Sequence, residues 1–483
     1  MGSMKANRDF QANCVRGLIA SAAMVLTFVA MAEPTAKVNV DFTRRIGKIK
    51  PMHCVGQGPI QGWDDFSLFR YLKEAHIPSA RLHDVGGAFG KMLYVDIPNL
   101  FRDFDADEND PANYDFTFTD RLLKALVENG VEPFFRLGVT IENRTEVKKY
   151  RIYPPKDFAK WARICEHVVA HYNAGWADGF KFGIRYWEIW NEPDDRGDPQ
   201  SSFMWCGSFA DYCRLYETAS KHLKAKFPEL KIGGFASCGY YGAEGGVALS
   251  ESMPKDWQPK KQGHDHYHFI RCTLDFLDYV RDHSCPLDFF SFHSYDRPER
   301  VLEQVASVSR EMKLRGISPE LILNEWLPQP SMERVFSAEQ NVDIARTLVG
   351  AQHSELAMLM LYDARISARN PYAPLFNPMT AKPEGAYYAL QYFGELYRRG
   401  WETATSVAGG EAGLCVCAAS DGRTDGAVML VNAGDQPAEL DFGDRAAKFR
   451  FGSLTERDRN GAAFFDLPKT LPAKSFALLV FDL

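Results

Sequence analysis

The chain has 483 residues, 46% of them hydrophobic and 25% charged, with a formal net charge of −7 at pH 7. That length supports a large core and more than one domain, and the composition is globular rather than disordered or collagenous. The acidic balance argues against a nucleic-acid partner, while 13% aromatic residues suit sugar binding and equally any large core.

The first residues have the pattern of a secretory signal. Lys5, Arg8 and Arg16 form a basic region, Gly17 to Ala30 is a short uncharged apolar run, and Ala30-Met31-Ala32 supplies small residues at a cleavage site before Glu33. The run is short for a membrane span, and a retained N-terminal anchor is the alternative. The expectation is a secreted or periplasmic protein that loses residues 1–32. Ten cysteines are present, and Cys14 lies inside the signal. The others are odd in number and scattered, which is no disulfide framework. Cys206 and Cys213 are near enough in sequence to pair if geometry allows.

Lys37 to Phe42 alternates apolar and polar residues, as a half-exposed strand does. From Pro51 onward, strand-like runs alternate with helical ones, the pattern of βαβ units and a parallel sheet. Eight strands are predicted: Met52–Gly56, Ser79–His83, Val131–Gly138, Arg185–Asp194, Lys231–Ala236, Leu287–His293, Glu320–Trp326 and Ala357–Tyr362. Helical stripes fall between them. Thr119 to Asn129 places Leu122, Leu123, Leu126 and Val127 on one face before Gly130. Lys156 to Tyr172 repeats Phe158, Trp161, Ile164, Cys165 and Val168 at helical spacing, and Phe209–Phe227 and Asp265–Asp282 behave alike.

The expected fold class is α/β, a (β/α)8 TIM barrel with an accessory antiparallel, β-sandwich-like domain. After Gly400 the texture becomes short alternating runs such as Ala427–Asn432 and Phe476–Phe481, separated by turns such as Asp421-Gly422 and Asn460-Gly461. The expected boundaries are a signal over 1–32, a strand over 33–46 that joins the β-domain, a barrel over 47–400 and the β-domain over 401–483.

Arg185-Tyr186-Trp187-Glu188-Ile189-Trp190-Asn191-Glu192-Pro193-Asp194 is the stretch the chain is organised around. It begins as an aromatic, β-branched strand and is stopped by proline. A carboxylate is thereby delivered to the carboxyl end of a barrel strand, where such folds keep their chemistry. The seventh strand ends the same way, with Glu325 followed by Pro328. Glycoside hydrolysis uses two carboxylates flanking one bond, one holding a proton and one ionised. Glutamates at the ends of the fourth and seventh strands supply that pair.

Trp187-Glu188-Ile189-Trp190-Asn191-Glu192-Pro193 resembles the strand-4 signature of the clan of barrel glycosidases with catalytic glutamates on strands 4 and 7. Within that clan, His53–Gly56, Tyr114–Arg121, Gly130–Phe134, Pro154–Phe158 and Ala386–Leu390 resemble glycoside hydrolase family 39, the β-xylosidase and α-L-iduronidase family. The resemblance runs from about residue 50 to about residue 400 and is loose in the C-terminal region. It implies that Glu192 is the general acid/base and Glu325 the nucleophile of a retaining hydrolase. Asn191 would then bond the sugar 2-hydroxyl, and Tyr295 would hold the Glu325 carboxylate.

Further residues are candidates for substrate binding. His293 shares strand parity with Tyr295 and is placed to touch substrate or Glu192; a satisfied core histidine is the plainer reading. Arg81 and His83 share parity on the second strand, where an arginine stabilises ionised Glu325 or forms a structural ion pair. Trp190 and Trp326 are candidate sugar platforms, set against plain core positions. Gln57 and Trp63 follow the first strand. Arg136, Arg144, Arg196, Arg365 and Arg369 fall at or after strand ends, where they bind a uronate or sulfate or are simply solvated. His264, His266 and His268 fit no strong metal signature, and the glutamate pair requires no metal or cofactor.

The chain also departs from the family pattern. Asp84 follows His83 where glycine is usual, Asn324 precedes Glu325 where threonine is frequent, and the eighth strand runs into Tyr362-Asp363-Ala364-Arg365 without a tryptophan. The expected activity is an exo-acting, β-xylosidase-like hydrolysis of an oligosaccharide or polysaccharide-derived glycoside. A uronide, galactoside or arabinoside hydrolase, an endo-glycanase and a non-catalytic carbohydrate-binding barrel are the alternatives.

Overall fold

The computed structural model describes residues 36–61, 65–85, 95–141, 152–260, 265–409, 413–444, 449–455, 463–465 and 469–483. The signal pattern, Cys14, Trp63, Arg144, His264 and the Asn460-Gly461 turn lie outside the described residues. After β1 (Ala36–Lys48), eight strands close into a parallel barrel: β2 (Cys54–Gly56), β3 (Ser79–Leu82), β4 (Glu132–Leu137), β5 (Tyr186–Ile189), β6 (Lys231–Ser237), β7 (Phe289–Ser294), β8 (Glu320–Trp326) and β9 (Leu356–Leu361). All eight predicted strands are present. The fourth is shorter than its run, because the chain leaves the ladder at Trp190, whose φ is +74.

The connecting helices begin at side chains that satisfy free backbone N–H groups. Asp157 caps Phe158–Asn173, Ser208 and Asp211 form a capping box on Phe209–Lys226, Asp265 caps His266–Asp282, and Ser337 caps Ala338–Gln352. Each buries one stripe against the barrel. In Thr117–Glu128 the stripe is Thr119, Leu122, Leu123 and Leu126. Val127, expected on it, is 36% exposed. It lies past the edge of a stripe centred near Leu122 and Leu126, about 100° of helix beyond the latter.

Residues from 401 onward, together with β1, form one nine-stranded sheet. It comprises β10 (Trp401–Ala408), β11 (Leu414–Ser420), β12 (Asp425–Asn432), β13 (Ala438–Asp441), β14 (Phe449–Thr455), β15 (Ala463–Phe465), β16 (Thr470–Leu471) and β17 (Ser475–Asp482). Its order is β15-β14-β17-β12-β11-β10-β1-β13-β16. β1 pairs antiparallel with β10, as its alternation anticipates, and parallel with β13. Alternation in β12 buries both faces: Met429 and Val431 join the core shared with the barrel helices, Val428 and Leu430 a second core with Val38 and Phe42. Polar ties cross between barrel and sheet. Gln352 Nε2 donates to Lys48 O at 3.0 Å and to Glu402 Oε2 at 2.6 Å, and Arg399 reaches Asp425 at 2.8 Å.

All nine described cysteines are free thiols, Cys206 and Cys213 included. Among the described residues no helix is long and apolar enough to cross a membrane.

Candidate active site

Strand parity lays down the floor of the site. Phe134, Tyr186, Phe289 and Ile322 form an apolar layer inside the barrel. Two residues further along the same strands stand Arg136, Glu188, Ser291 and Asn324, all buried. Arg81, also buried, comes from β3 into this polar layer. Its Nε donates to Glu188 at 2.7 Å, one terminal nitrogen to Glu325 at 2.6 Å and the other to Asn191 Oδ1 at 2.5 Å. Ser291 and Asn324 complete the shell of Glu188 at 2.6 and 2.5 Å. Arg81 therefore fills both roles the sequence left open, structural ion pair and partner of Glu325. Burial works against its charge, and the carboxylates of Glu188 and Glu325 more than compensate and raise its pKa.

Glu325 does not follow from parity, since Asn324 already points inward. The register between β7 and β8 slips between Phe292 and His293, so that His293 pairs with Glu325. A bulge of this kind re-aims a side chain. It brings Glu325 to the Tyr295 hydroxyl, which donates to Oε2 at 2.7 Å. Glu192, with φ +43, lies past the end of β5 and is anchored by its N–H to Ala236 O at 3.0 Å.

His293 joins the two glutamates. Its Nδ1 is 2.7 Å from Glu192 Oε1 and 3.4 Å from Glu325 Oε2. One nitrogen or oxygen from each of Glu192, His293 and Glu325 falls within 4.8 Å of the other two. Burial disfavours the imidazolium, but the charge of Glu325 and then the bond to Glu192 raise the His293 pKa above its usual value. Glu192 is pushed up by burial and pulled down more strongly by the hydrogen bond and charge of His293, so its pKa is lowered. The two groups thus share one proton across this hydrogen bond. The same trio is spaced as a cation site requires, and Glu192, His293 and Glu325 are already matched by hydrogen bonds to protein. A second such group, His353, Glu402 and Cys417, lies between barrel and sheet. His266 and His268 belong to neither group.

The remaining candidates divide. Asn191 is buried beside Arg81 with its amide nitrogen unpartnered. His83 Nε2 is 3.8 Å from Glu325 Oε1, and burial followed by the charge of Arg81 lowers its pKa far enough to keep it neutral. Gln57 takes a left-handed backbone, donates its N–H to Arg81 O at 2.8 Å and leaves its buried side-chain nitrogen unpartnered. Trp190 is not a platform. Its ring is buried between Trp161 and Trp205 and its N–H is spent on Met204 O at 3.0 Å. Trp326 is fully buried and offers no exposed ring face. Both tryptophans are carried into the core where their strands end. Of the arginines, Arg136 is paired with Asp96 at 2.5 Å, Arg365 with Asp363 at 2.6 Å, and Arg196 lies over the Phe203 ring.

Several residues emerge only from the structure. Glu188 is the buried counter-charge of Arg81, and its signal was an acid at the inward parity of an otherwise apolar strand. Asp194 is buried beneath Glu192, accepting from Ser237 at 2.7 Å, and burial pushes its pKa up to about 7. Asp195 is raised by burial to about 6. Tyr372 completes an aromatic wall with Tyr295 and Tyr362, at centroid distances of 5.1 and 5.8 Å.

Comparison with known proteins agrees with this construction. A "Beta-xylosidase" of Geobacillus stearothermophilus is 26% identical over 217 residues, 43% of this chain and 35% of the relative. A "Beta-xylosidase" of Caldicellulosiruptor saccharolyticus is 26% identical over 276 residues, 54% of this chain and 46% of the relative. The chain thus spans less than half the length of these curated relatives. In fold, the crystal structure of a glucosidase from Croceicoccus marinus superposes with a TM-score of 0.71 at 19% identity, covering 93% of this chain and 99% of that one. Residues 36–317 match the model of "Glycosyl hydrolases family 39". With both glutamates at the ends of their barrel strands, the chain belongs to glycosyl hydrolase family 39.

Proposed function

We propose that this protein is a secreted, retaining, exo-acting glycoside hydrolase of β-xylosidase type. The observation that carries the reading is the juxtaposition of Glu192 and Glu325 across His293 at the mouth of the barrel. Their near oxygens fall within 4.8 Å. That supports the retaining spacing of about 5–5.5 Å rather than the inverting spacing of about 6.5–9.5 Å, which leaves room for a water molecule. The β-xylosidase assignment draws its support from the two curated relatives.

In the first step Glu325, ionised and held by Arg81 and Tyr295, attacks the anomeric carbon. Glu192 protonates the departing oxygen with the proton it shares with His293. In the second step Glu192 removes a proton from water, which attacks the anomeric carbon and releases Glu325. Arg81 and Tyr295 orient the nucleophile by charge-assisted hydrogen bonds. Asn191 has a free amide nitrogen to donate to a sugar hydroxyl. Exo action is supported by the likeness to the two curated β-xylosidases. Export is supported by the N-terminal signal pattern, and a mature protein beginning at Glu33 is the expected product.

The test is hydrolysis of aryl β-xyloside, α-arabinoside, β-galactoside and β-glucoside by wild type, Glu325→Ala and Glu192→Ala. The reading requires at least one substrate that wild type cleaves and both variants lose. Sugar binding without turnover of any substrate would favour a carbohydrate-binding barrel instead.

A further inference from the structure

The end of β3 carries a charged cluster that the double displacement does not use. Asp84 follows His83 with φ +55, a left-handed conformation that aspartate tolerates better than most residues with a Cβ and that glycine adopts freely. Interactions on both sides hold it there. Its Oδ2 accepts the Tyr362 hydroxyl, and its Oδ1 lies 3.3 Å from His83 Nε2. The same histidine nitrogen faces Glu325 Oε1 at 3.8 Å, so Asp84 and the nucleophile share one imidazole edge. Beyond Tyr362, Arg365 donates to that hydroxyl at 3.2 Å and grips Asp363 through Nε at 2.8 Å and a terminal nitrogen at 2.6 Å. Tyr372 packs on both Tyr362 and Tyr295, which makes the wall continuous from Asp84 to the nucleophile.

Two features of this wall point to its ligand. Gln57 Nε2 and His83 Nδ1 are buried without a protein partner. His83 is neutral and its Nε2 edge faces two carboxylates, so that nitrogen carries the hydrogen and Nδ1 is an acceptor. A donor and an acceptor left open suit hydroxyl groups. The second feature is charge. Arg81 is matched by Glu188 and Glu325, and Arg365 by Asp363 with Asp84 close by. The guanidinium groups of Arg81 and Arg365 already spend their paired donors on protein, whereas recognition of a substrate carboxylate uses that bidentate face; Arg136, fully buried and paired with Asp96 through one terminal nitrogen, keeps its other two nitrogens without a partner.

We propose that Asp84 is a specificity-determining residue of the glycone pocket. It accepts a hydroxyl of an uncharged sugar, and its carboxylate, an acid additional to the matched Arg365–Asp363 pair, gives the pocket a negative field that rejects glycones bearing a carboxylate or sulfate. This rests on the glycosidase reading above and narrows it to neutral glycosides.

The experiment compares kcat/KM for aryl β-xyloside, β-glucoside and β-galactoside with that for aryl β-glucuronide and α-L-iduronide. Wild type, Asp84→Asn and Asp84→Gly are used, each with its melting temperature. Wild type is expected to favour its best neutral substrate over either uronide by about 100-fold or more. Asp84→Asn keeps the shape but weakens the acceptor and removes the charge. It is expected to lose about 10–100-fold on the neutral substrate and to narrow the gap to the uronides. Asp84→Gly relieves the left-handed backbone and serves if the asparagine variant folds poorly; the same loss is expected. A wild type that prefers a uronide, or turnover whose preferences change less than twofold in both variants, overturns this inference alone. No turnover of any glycoside by wild type overturns it together with the glycosidase reading.

Discussion

His293 and Glu192 share one hydrogen bond, 2.7 Å from Nδ1 to Oε1, and each shifts the proton affinity of the other. The pair titrates as a unit. In the proposed mechanism it must hold one proton for the leaving group to depart. That proton is lost as pH rises through the His293 pKa, which lies above the ordinary 6.5. The basic limb of kcat/KM is therefore expected above pH 6.5. His293→Gln leaves a carboxyl alone to hold the proton, and the basic limb should move to lower pH. A pH–rate profile of both proteins checks this; an unmoved limb counts against the shared proton.

The same shifts set the pH dependence of stability. The raised pKa of His293 contributes stability that is full below 6.5 and fades as pH climbs through the folded value. The lowered pKa of Glu192 contributes stability that is full above 4.5 and fades as pH falls through the folded value. Asp194 acts in the opposite sense to Glu192. Its folded pKa of about 7 exceeds the unfolded 3.8, so its contribution is lost as pH rises between them. Asp194→Asn mimics the protonated form and should cost less stability at pH 8 than at pH 5. Denaturant melts at the two pH values decide it.

Arg81 is fixed by acceptors on three sides. Arg81→Met strands Glu188 in the interior and should cost about 3–5 kcal/mol. Arg81→Lys keeps the charge without the planar fork and should fold better than the methionine variant while remaining catalytically impaired. Urea unfolding and kcat/KM together separate the two effects. Equal stability of Arg81→Met and wild type would contradict the buried ion pair.

Tyr295→Phe removes one hydrogen bond to Glu325 and leaves the ring packed on Tyr372 and Tyr362. A hydrogen bond to a charged group contributes about 1.5–3 kcal/mol, so kcat/KM should fall about 10–100-fold with little change in melting temperature. Steady-state kinetics beside a thermal melt check it.

Trp190→Ala should behave differently, because Trp190 is core. A loss of about 3–5 kcal/mol of stability is expected, with KM of the folded fraction unchanged. A large change in KM with unchanged stability would restore the platform reading.

Much of this was legible in the chain. Alternating runs and helix caps are local signals, and the barrel follows from them. Glu192 and Glu325 were legible because proline stops each strand beyond its acid. The bulge that turns Glu325 inward beside Asn324 was not, since register is a relation between two strands. Whether Trp190 and Trp326 are platforms or core stayed open, because a tryptophan at a strand end carries the same sequence signal whether its ring meets solvent or another helix. The Asp84–Tyr362 bond joins residues far apart in sequence, and only strand closure brings them together.

In the proposed double displacement Glu325 forms the covalent bond to the sugar. A 2-deoxy-2-fluoro glycoside of the preferred sugar slows release of that intermediate, and peptide mass spectrometry locates it. The label is expected on the peptide carrying Glu325, and the first-formed product is expected to have the anomeric configuration of the substrate. A label on Glu192, or an inverted product, would contradict it.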